Sequence, residues 1–145
     1  LIERLRQKDG LSYGAGTGLS IGSRNRIATW GLGAIVAPQN AARAEQAIRE
    51  ELERALRDGF SAKEVDDAKK GLLQERLVNR SQDGIVAGAW VGNLDLDRTF
   101  EFSRQFEERL MALTPEQVNA AFRKYIDPDR MTFVIAGDVK KGIKP

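Results

Sequence analysis

The sequence predicts an α+β fold, an antiparallel sheet covered by several helices. Three observations point there. Residues 11–22 alternate with a period of two, several later stretches repeat apolar residues at the i, i+3, i+4 spacing of a helix, and Gly, Pro and Asn mark the boundaries between them. The 145 residues are 41% hydrophobic and 30% charged, the profile of one globular domain. Lys plus Arg number 23 against 21 Asp plus Glu, a balance that gives no support to nucleic-acid binding.

Residues 1–9 read as the end of an amphipathic helix, with Ile2 and Leu5 on one face and Gly10 as its stop. A strand follows from Leu11 to Gly22. Its odd positions are Leu11, Tyr13, Ala15, Thr17, Leu19 and Ile21, and every even position is Ser or Gly. Alternation therefore places the larger side chains on one face and leaves the other nearly bare. Only backbone can lie close to such a face, either a tightly packed helix or an approaching extended peptide. Ser23-Arg24-Asn25-Arg26 reads as a turn and Ile27 to Ala37 as a second strand containing Trp30, Leu32, Ile35 and Val36, so the two form an antiparallel hairpin.

Pro38-Gln39-Asn40 opens a helix to about Asp58, with Ala44, Ile48, Leu52, Ala55 and Leu56 on one face. Glu45 with Arg49, Glu50 with Arg54, and Glu53 with Arg57 stand at i, i+4 on its solvated side, each pair contributing about 0.2–0.5 kcal/mol. Gly59 ends it. Ser61-Ala62-Lys63-Glu64 has the form of a capping box opening a helix through Val65, Ala68, Leu72, Leu73 and Leu77. Ser81 to Leu94 and Arg98 to Leu113 predict two more helices. Thr114-Pro115-Glu116-Gln117 opens a last one through Val118, Phe122 and Tyr125, broken at Asp127-Pro128. Met131 to Ala136 reads as a buried strand ended by Gly137-Asp138, and residues 140–145 as a basic tail. Three strands make a thin sheet for so many helices, so further strands are expected upstream of this segment. The opening Leu1-Ile2-Glu3-Arg4, already inside a helix and without Met, fits a piece of a longer polypeptide.

The chain contains neither Cys nor His. Catalytic zinc nearly always takes ligands from one or both, and Ser nucleophiles are usually activated by His, so no complete hydrolase site is expected within these residues. The longest charge-free run, Ile27 to Ala42, is broken by Gly31, Gly33 and Pro38 and predicts no membrane span. Gly14-x-Gly16-x-Gly18 lacks the spacing and context of a nucleotide-binding loop. Asp66-Asp67 and Asp95-x-Asp97 lack the rest of a calcium loop, and a solvated helix face and a turn account for them.

One segment stands apart. Arg6 lies on the last turn of the first helix and Tyr13 on the first part of the strand, and the stop at Gly10 folds the chain back between them. A guanidinium and a phenol can thus converge, and both are donors suited to a peptide carbonyl or a developing oxyanion. On spacing alone, an exposed Arg and a half-buried strand Tyr are the simpler reading.

Leu5-Arg6 with Gly10-Leu11-Ser12-Tyr13, the Gly/Ser-rich strand after it, the strand holding Trp30, and the helix start at Pro38-Gln39-Asn40 together resemble the later domain of pitrilysin/insulinase-type zinc metallopeptidases. Gly59-Phe60-Ser61-x-x-Glu64-Val65, Leu113-Thr114-Pro115-Glu116-Gln117-Val118 and Val134-x-Ala136-Gly137-Asp138 fit the same order, so the resemblance runs from Leu5 to Asp138. It implies that residues 1–139 are the C-terminal portion of one inactive-type domain, half of a metallopeptidase fold. It also implies a dimer-like pairing with a zinc-bearing domain or subunit of the same family that carries an inverted His-x-x-Glu-His motif. Zinc is then expected on that partner and no cofactor in this segment. The resemblance gives Arg6 and Tyr13 the role of holding a peptide substrate and stabilising its tetrahedral intermediate, with neither nucleic acid nor a membrane span involved. Relatives of the same fold serve as structural or assembly subunits without proteolysis, which is the alternative reading.

Overall fold

The hairpin forms where the alternating pattern places it. In the computed structural model, which describes residues 1–138, β1 spans Ser12–Ile21 and β2 spans Ala28–Val36, paired antiparallel from Ser12 opposite Val36 to Ile21 opposite Ala28. Asn25 closes the turn by accepting from the Ile27 amide, and the Gly22 amide donates to the Ile27 carbonyl at 2.9 Å. A side chain at Gly22 would push the Asn25 amide group out of this position.

The register carries one irregularity. Ser12 faces Val36 but Gly14 faces Ile35, so Tyr13 is the extra residue of a β-bulge. Unbroken alternation would have aligned Tyr13 with Ala15 toward the core. The bulge removes it from that series and leaves it 83% exposed. Ser12 is buried there, its hydroxyl donating to the carbonyls of Gly14 and Ile35 at 2.7 and 2.9 Å.

The described residues divide into two compact units, Leu1–Gly59 with the segment from Tyr125 on, and Phe60–Lys124. The first contains the hairpin, and its core gathers Leu5, Leu11, Ala44, Ala47 and Ile48, with Ala15, Leu32, Ala34, Val36 and Phe133 packed against them. The helix α1, Ala41–Asp58, supplies the alanines and Ile48 and is entered through a short 3-10 turn at Pro38–Asn40. Gly59 ends α1 at φ 76, a conformation that favours glycine. On its solvated side Glu45 meets Arg49 at 2.7 Å, while Arg54 reaches Glu51 and Arg57 reaches Asp58.

The buried strand expected from Met131 to Ala136 is not one. This stretch is irregular, and Val134 is 82% exposed. Phe133 packs on the core with the Arg49 guanidinium 3.7 Å from its ring centroid. An apolar run forms a ladder only where another strand offers its backbone edge, and the one sheet among the described residues is the β1–β2 pair. The basic tail expected at residues 140–145 lies outside the described residues.

The second unit is helical: α2 at Ala62–Asn79, α3 at Asp83–Asp95, α4 at Phe100–Ala112 and α5 at Pro115–Tyr125, whose last residue falls to the first unit. Both predicted capping boxes are present. Ser61 Oγ accepts from the Glu64 amide while the Glu64 carboxylate accepts from the Ser61 amide, and Thr114 with Gln117 makes the same reciprocal pair. Asn119 holds both the amide and the carbonyl of Phe60, and the rings of Phe60 and Phe122 meet edge-on at 5.1 Å. Lys69 donates to the carbonyls of Met111 and Leu113, satisfying acceptors left open at the end of α4.

Glu107 on α4 accepts from Arg76 at 2.9 Å and Arg80 at 2.5 Å, both on or at the end of α2. These guanidinium bonds hold its carboxyl below the ordinary value of 4.5. The folded state therefore binds this proton less readily than the unfolded chain. The resulting stabilisation is complete above the unfolded value and is lost as pH falls through the folded one. Urea titrations of the wild type and Glu107→Gln are expected to differ at pH 7 and to converge as the pH is lowered below the ordinary carboxyl value. A gap that does not narrow would show that the triad contributes no pH-dependent stability.

Candidate functional site

The two residues singled out in the sequence come from the N-terminal turn and from the bulge at the start of β1. The turn, Glu3–Lys8, is a π-helix, with one more residue per hydrogen-bonded ring than an α-helix, and the Asp9 amide donates to the Arg4 carbonyl at 2.9 Å. Gly10 follows at φ 61, reversing the chain so that the Leu11 amide donates to the Leu5 carbonyl at 2.8 Å. Leu5 is wholly buried, whereas Ile2, expected beside it, is exposed. The helix predicted over residues 1–9 thus exists in a wider form with a single residue anchoring it.

Arg6 is exposed on this turn and its guanidinium carbon lies 5.9 Å from the centroid of the Tyr13 ring, near the outer limit of a cation–π contact. The structure therefore brings the two together. Neither is covered by the domain's own helices, so five guanidinium N–H donors and a phenolic O–H are offered side by side to solvent. The simpler sequence reading, a half-buried strand Tyr, is overturned by the bulge.

Beyond Tyr13, the bare face of the hairpin is open. A Cβ built on Gly14, Gly16, Gly18, Gly31 or Gly33 meets nothing within 4 Å, so α1, the helix of the same unit, does not pack there as the first of the two occupants considered from sequence would. Gly16 faces Gly33 and Gly18 faces Gly31 across the ladder, giving a flat patch of exposed backbone. A separate groove of about 610 Å³ runs between β2 and residues 130–136, lined also by Ala41, Ala44 and Ile48. It contains neither Arg6 nor Tyr13.

Of the carboxylates considered for cations, Asp66 and Asp67 are engaged with lysines, Asp66 with Lys70 at 2.6 Å and Asp67 with Lys63 at 2.5 Å. Among the described residues, no three His, Cys, Asp or Glu side chains converge as a metal site would require. The residues present do not fit a zinc ion. Among the described residues, no helix is long and apolar enough to cross a membrane.

Residues 1–72, the half of the chain that holds the turn, the hairpin and α1, match the family model for the peptidase M16 inactive domain. This chain is an inactive-type domain of the pitrilysin, or M16, peptidase family. Among solved structures, the M16 inactive domain is similar to a crystal structure of a peptidase M16 inactive domain from Pseudomonas fluorescens, with a TM-score of 0.74 and 22% sequence identity. At that identity the likeness speaks for the fold, which is α+β in both. It covers 89% of this chain and 30% of the other, so this M16 domain spans less than a third of that protein's length. No curated protein matches the chain.

What sequence reading missed lies beside Arg6. Arg4 donates through Nε to Asp9 at 2.6 Å and through Nη2 to Glu50 at 3.0 Å, with Glu51 at 3.8 Å, tying the π-turn to α1. A spacing of five between opposite charges, next to a glycine stop, was the available signal.

Proposed function

We propose that this M16 domain contributes peptide binding and transition-state stabilisation to a peptidase whose zinc site lies on a second, paired domain or subunit of the family. One observation carries the reading: the Arg6 guanidinium 5.9 Å from the ring of an exposed Tyr13 phenol at the edge of an open sheet face. Donors placed at a developing oxyanion act selectively on the transition state, because the oxygen gains negative charge only as the peptide carbonyl is attacked. Arg6 offers a planar fork of N–H groups and Tyr13 a single O–H from the next element. The glycine patch beside them admits an extended chain at backbone distance. Metal chemistry belongs to the paired domain, since this chain has no His or Cys with which to hold zinc.

Assembly of the intact protein with a zinc-bearing family member is expected to give chelator-sensitive cleavage of peptides that neither component shows alone. Absence of cleavage from every such assembly would replace this reading with that of a structural subunit.

Tyr13→Phe separates the phenol from its ring. The ring can still stack on Arg6, but the O–H is lost, and a hydrogen bond to a charged partner contributes about 1.5–3 kcal/mol. A fall in kcat of roughly 10- to 150-fold with little change in KM is expected in steady-state assays of the assembled peptidase. An unchanged kcat would confine the role of Tyr13 to its ring.

A further inference from the structure

We propose that Arg4 and Asp9 form a register lock that keeps the Glu3–Lys8 turn in its π form, making Arg4 the positioning residue for Arg6. In an α-helix, residues five apart lie about 140° from each other around the axis, so their side chains do not meet. In a π-turn they follow one another along the same side. Here the Asp9 amide donates to the Arg4 carbonyl at 2.9 Å, and the Arg4 Nε donates to the Asp9 carboxylate at 2.6 Å. Backbone and side chains therefore close on the same pair, and the side-chain bond is available in the π register alone.

The two ends of the turn are fixed. Leu5 is wholly buried in the core, and Leu11 is buried after the reversal at Gly10. Returning to the α register would rotate the residues that follow the insertion by about 100° relative to those before it. With Leu5 and Leu11 held, Arg6, Gln7 and Lys8 must absorb that rotation. Arg6 would swing away from Tyr13. Arg4 also reaches Glu50 at 3.0 Å and Glu51 at 3.8 Å, so its planar fork ties the locked turn to α1 while the Asp9 bond sets its register. Lys offers no fork and cannot satisfy both directions at once.

That this positioning serves peptide turnover rests on the reading above, but the lock itself does not, and the test separates them. In the intact protein labelled at arginine, the Arg6 side-chain protons carry a ring-current shift from Tyr13 that is read by nuclear magnetic resonance and identified by its loss in Tyr13→Leu, which removes the ring. Arg4→Ala and the isosteric Asp9→Asn are expected to abolish most of this shift, and Arg4→Lys to restore part of it. If both variants leave the Arg6 signals in place, the lock is overturned. In the assembled peptidase, Arg4→Ala is expected to lower kcat about 10- to 100-fold with KM little changed, the scale of a misplaced reacting group. Arg4→Ala combined with Arg6→Ala should be no slower than Arg6→Ala alone. Additive losses would show that Arg4 does not act through Arg6 and would overturn the positioning role. If Arg6→Ala itself turns over normally while the ring-current shift depends on Arg4, the peptidase reading fails and the lock stands.

Discussion

Arg6→Ala is expected to lower kcat of the assembled peptidase by about 10²–10³, equivalent to about 2.7–4 kcal/mol of transition-state stabilisation, with a much smaller change in KM. The size follows from the geometry. Arg6 is solvent-accessible beside the Tyr13 ring, so its removal costs the fold little. On the proposed reading, what it removes is a donor offered to an oxygen that becomes charged only during reaction. Arg6→Lys keeps the charge but loses the planar fork, and recovery should be partial. A variant that turns over at the wild-type rate while equally folded would reject the role of Arg6.

The largest stability effect is expected at Leu5→Ala. Leu5 is wholly buried, packs with Leu11, Ala44, Ala47 and Ile48, and accepts the Leu11 amide through its carbonyl. Truncation leaves a cavity at the junction of the turn, the hairpin and α1, costing about 2–5 kcal/mol. A lowered urea midpoint with an unchanged slope is the readout. The flanking Ile2→Ala should cost far less, because Ile2 is half exposed. Equal costs would contradict the single anchor that the π-turn provides.

These two neighbours, one structural and one chemical, show how much was readable in advance. The hairpin, α1 and the capping boxes at Ser61 and Thr114 were legible because each follows from short-range pattern: alternation, a helical stripe, a side chain reaching its own N-terminal amides. The convergence of Arg6 and Tyr13 was legible as well, since Gly10 reverses the chain between them. Three features were not. The bulge that exposes Tyr13 depends on how Ser12 and Gly14 align with Val36 and Ile35, a cross-strand relation that alternation within one strand does not contain. The π-turn depends on Arg4 meeting Asp9, a pairing that a search at three- and four-residue spacing passes over. Met131 to Ala136 has the composition of a buried strand, but composition does not supply a neighbouring edge, and β2 stands across a groove from it.

Burial differs between the two units. The core around Leu5 is fed by four elements, whereas α2 to α5 bury little beyond Val65 and expose Trp90, Val91 and Leu94 on α3. Polar clamps do more of the work there. Asn119 on the Phe60 backbone, Lys69 on the end of α4 and the Arg76–Glu107–Arg80 triad each fix one element to another.

The most direct measurement places a photoreactive phenylalanine derivative at position 13 of the intact protein, assembles it with its zinc-bearing partner under chelation so that peptide binds without being cut, and identifies what is labelled on illumination. Labelling of the peptide backbone next to the scissile bond, competed by unlabelled substrate, is the predicted result. Labelling that ignores added peptide would contradict the account and leave the domain as a scaffold.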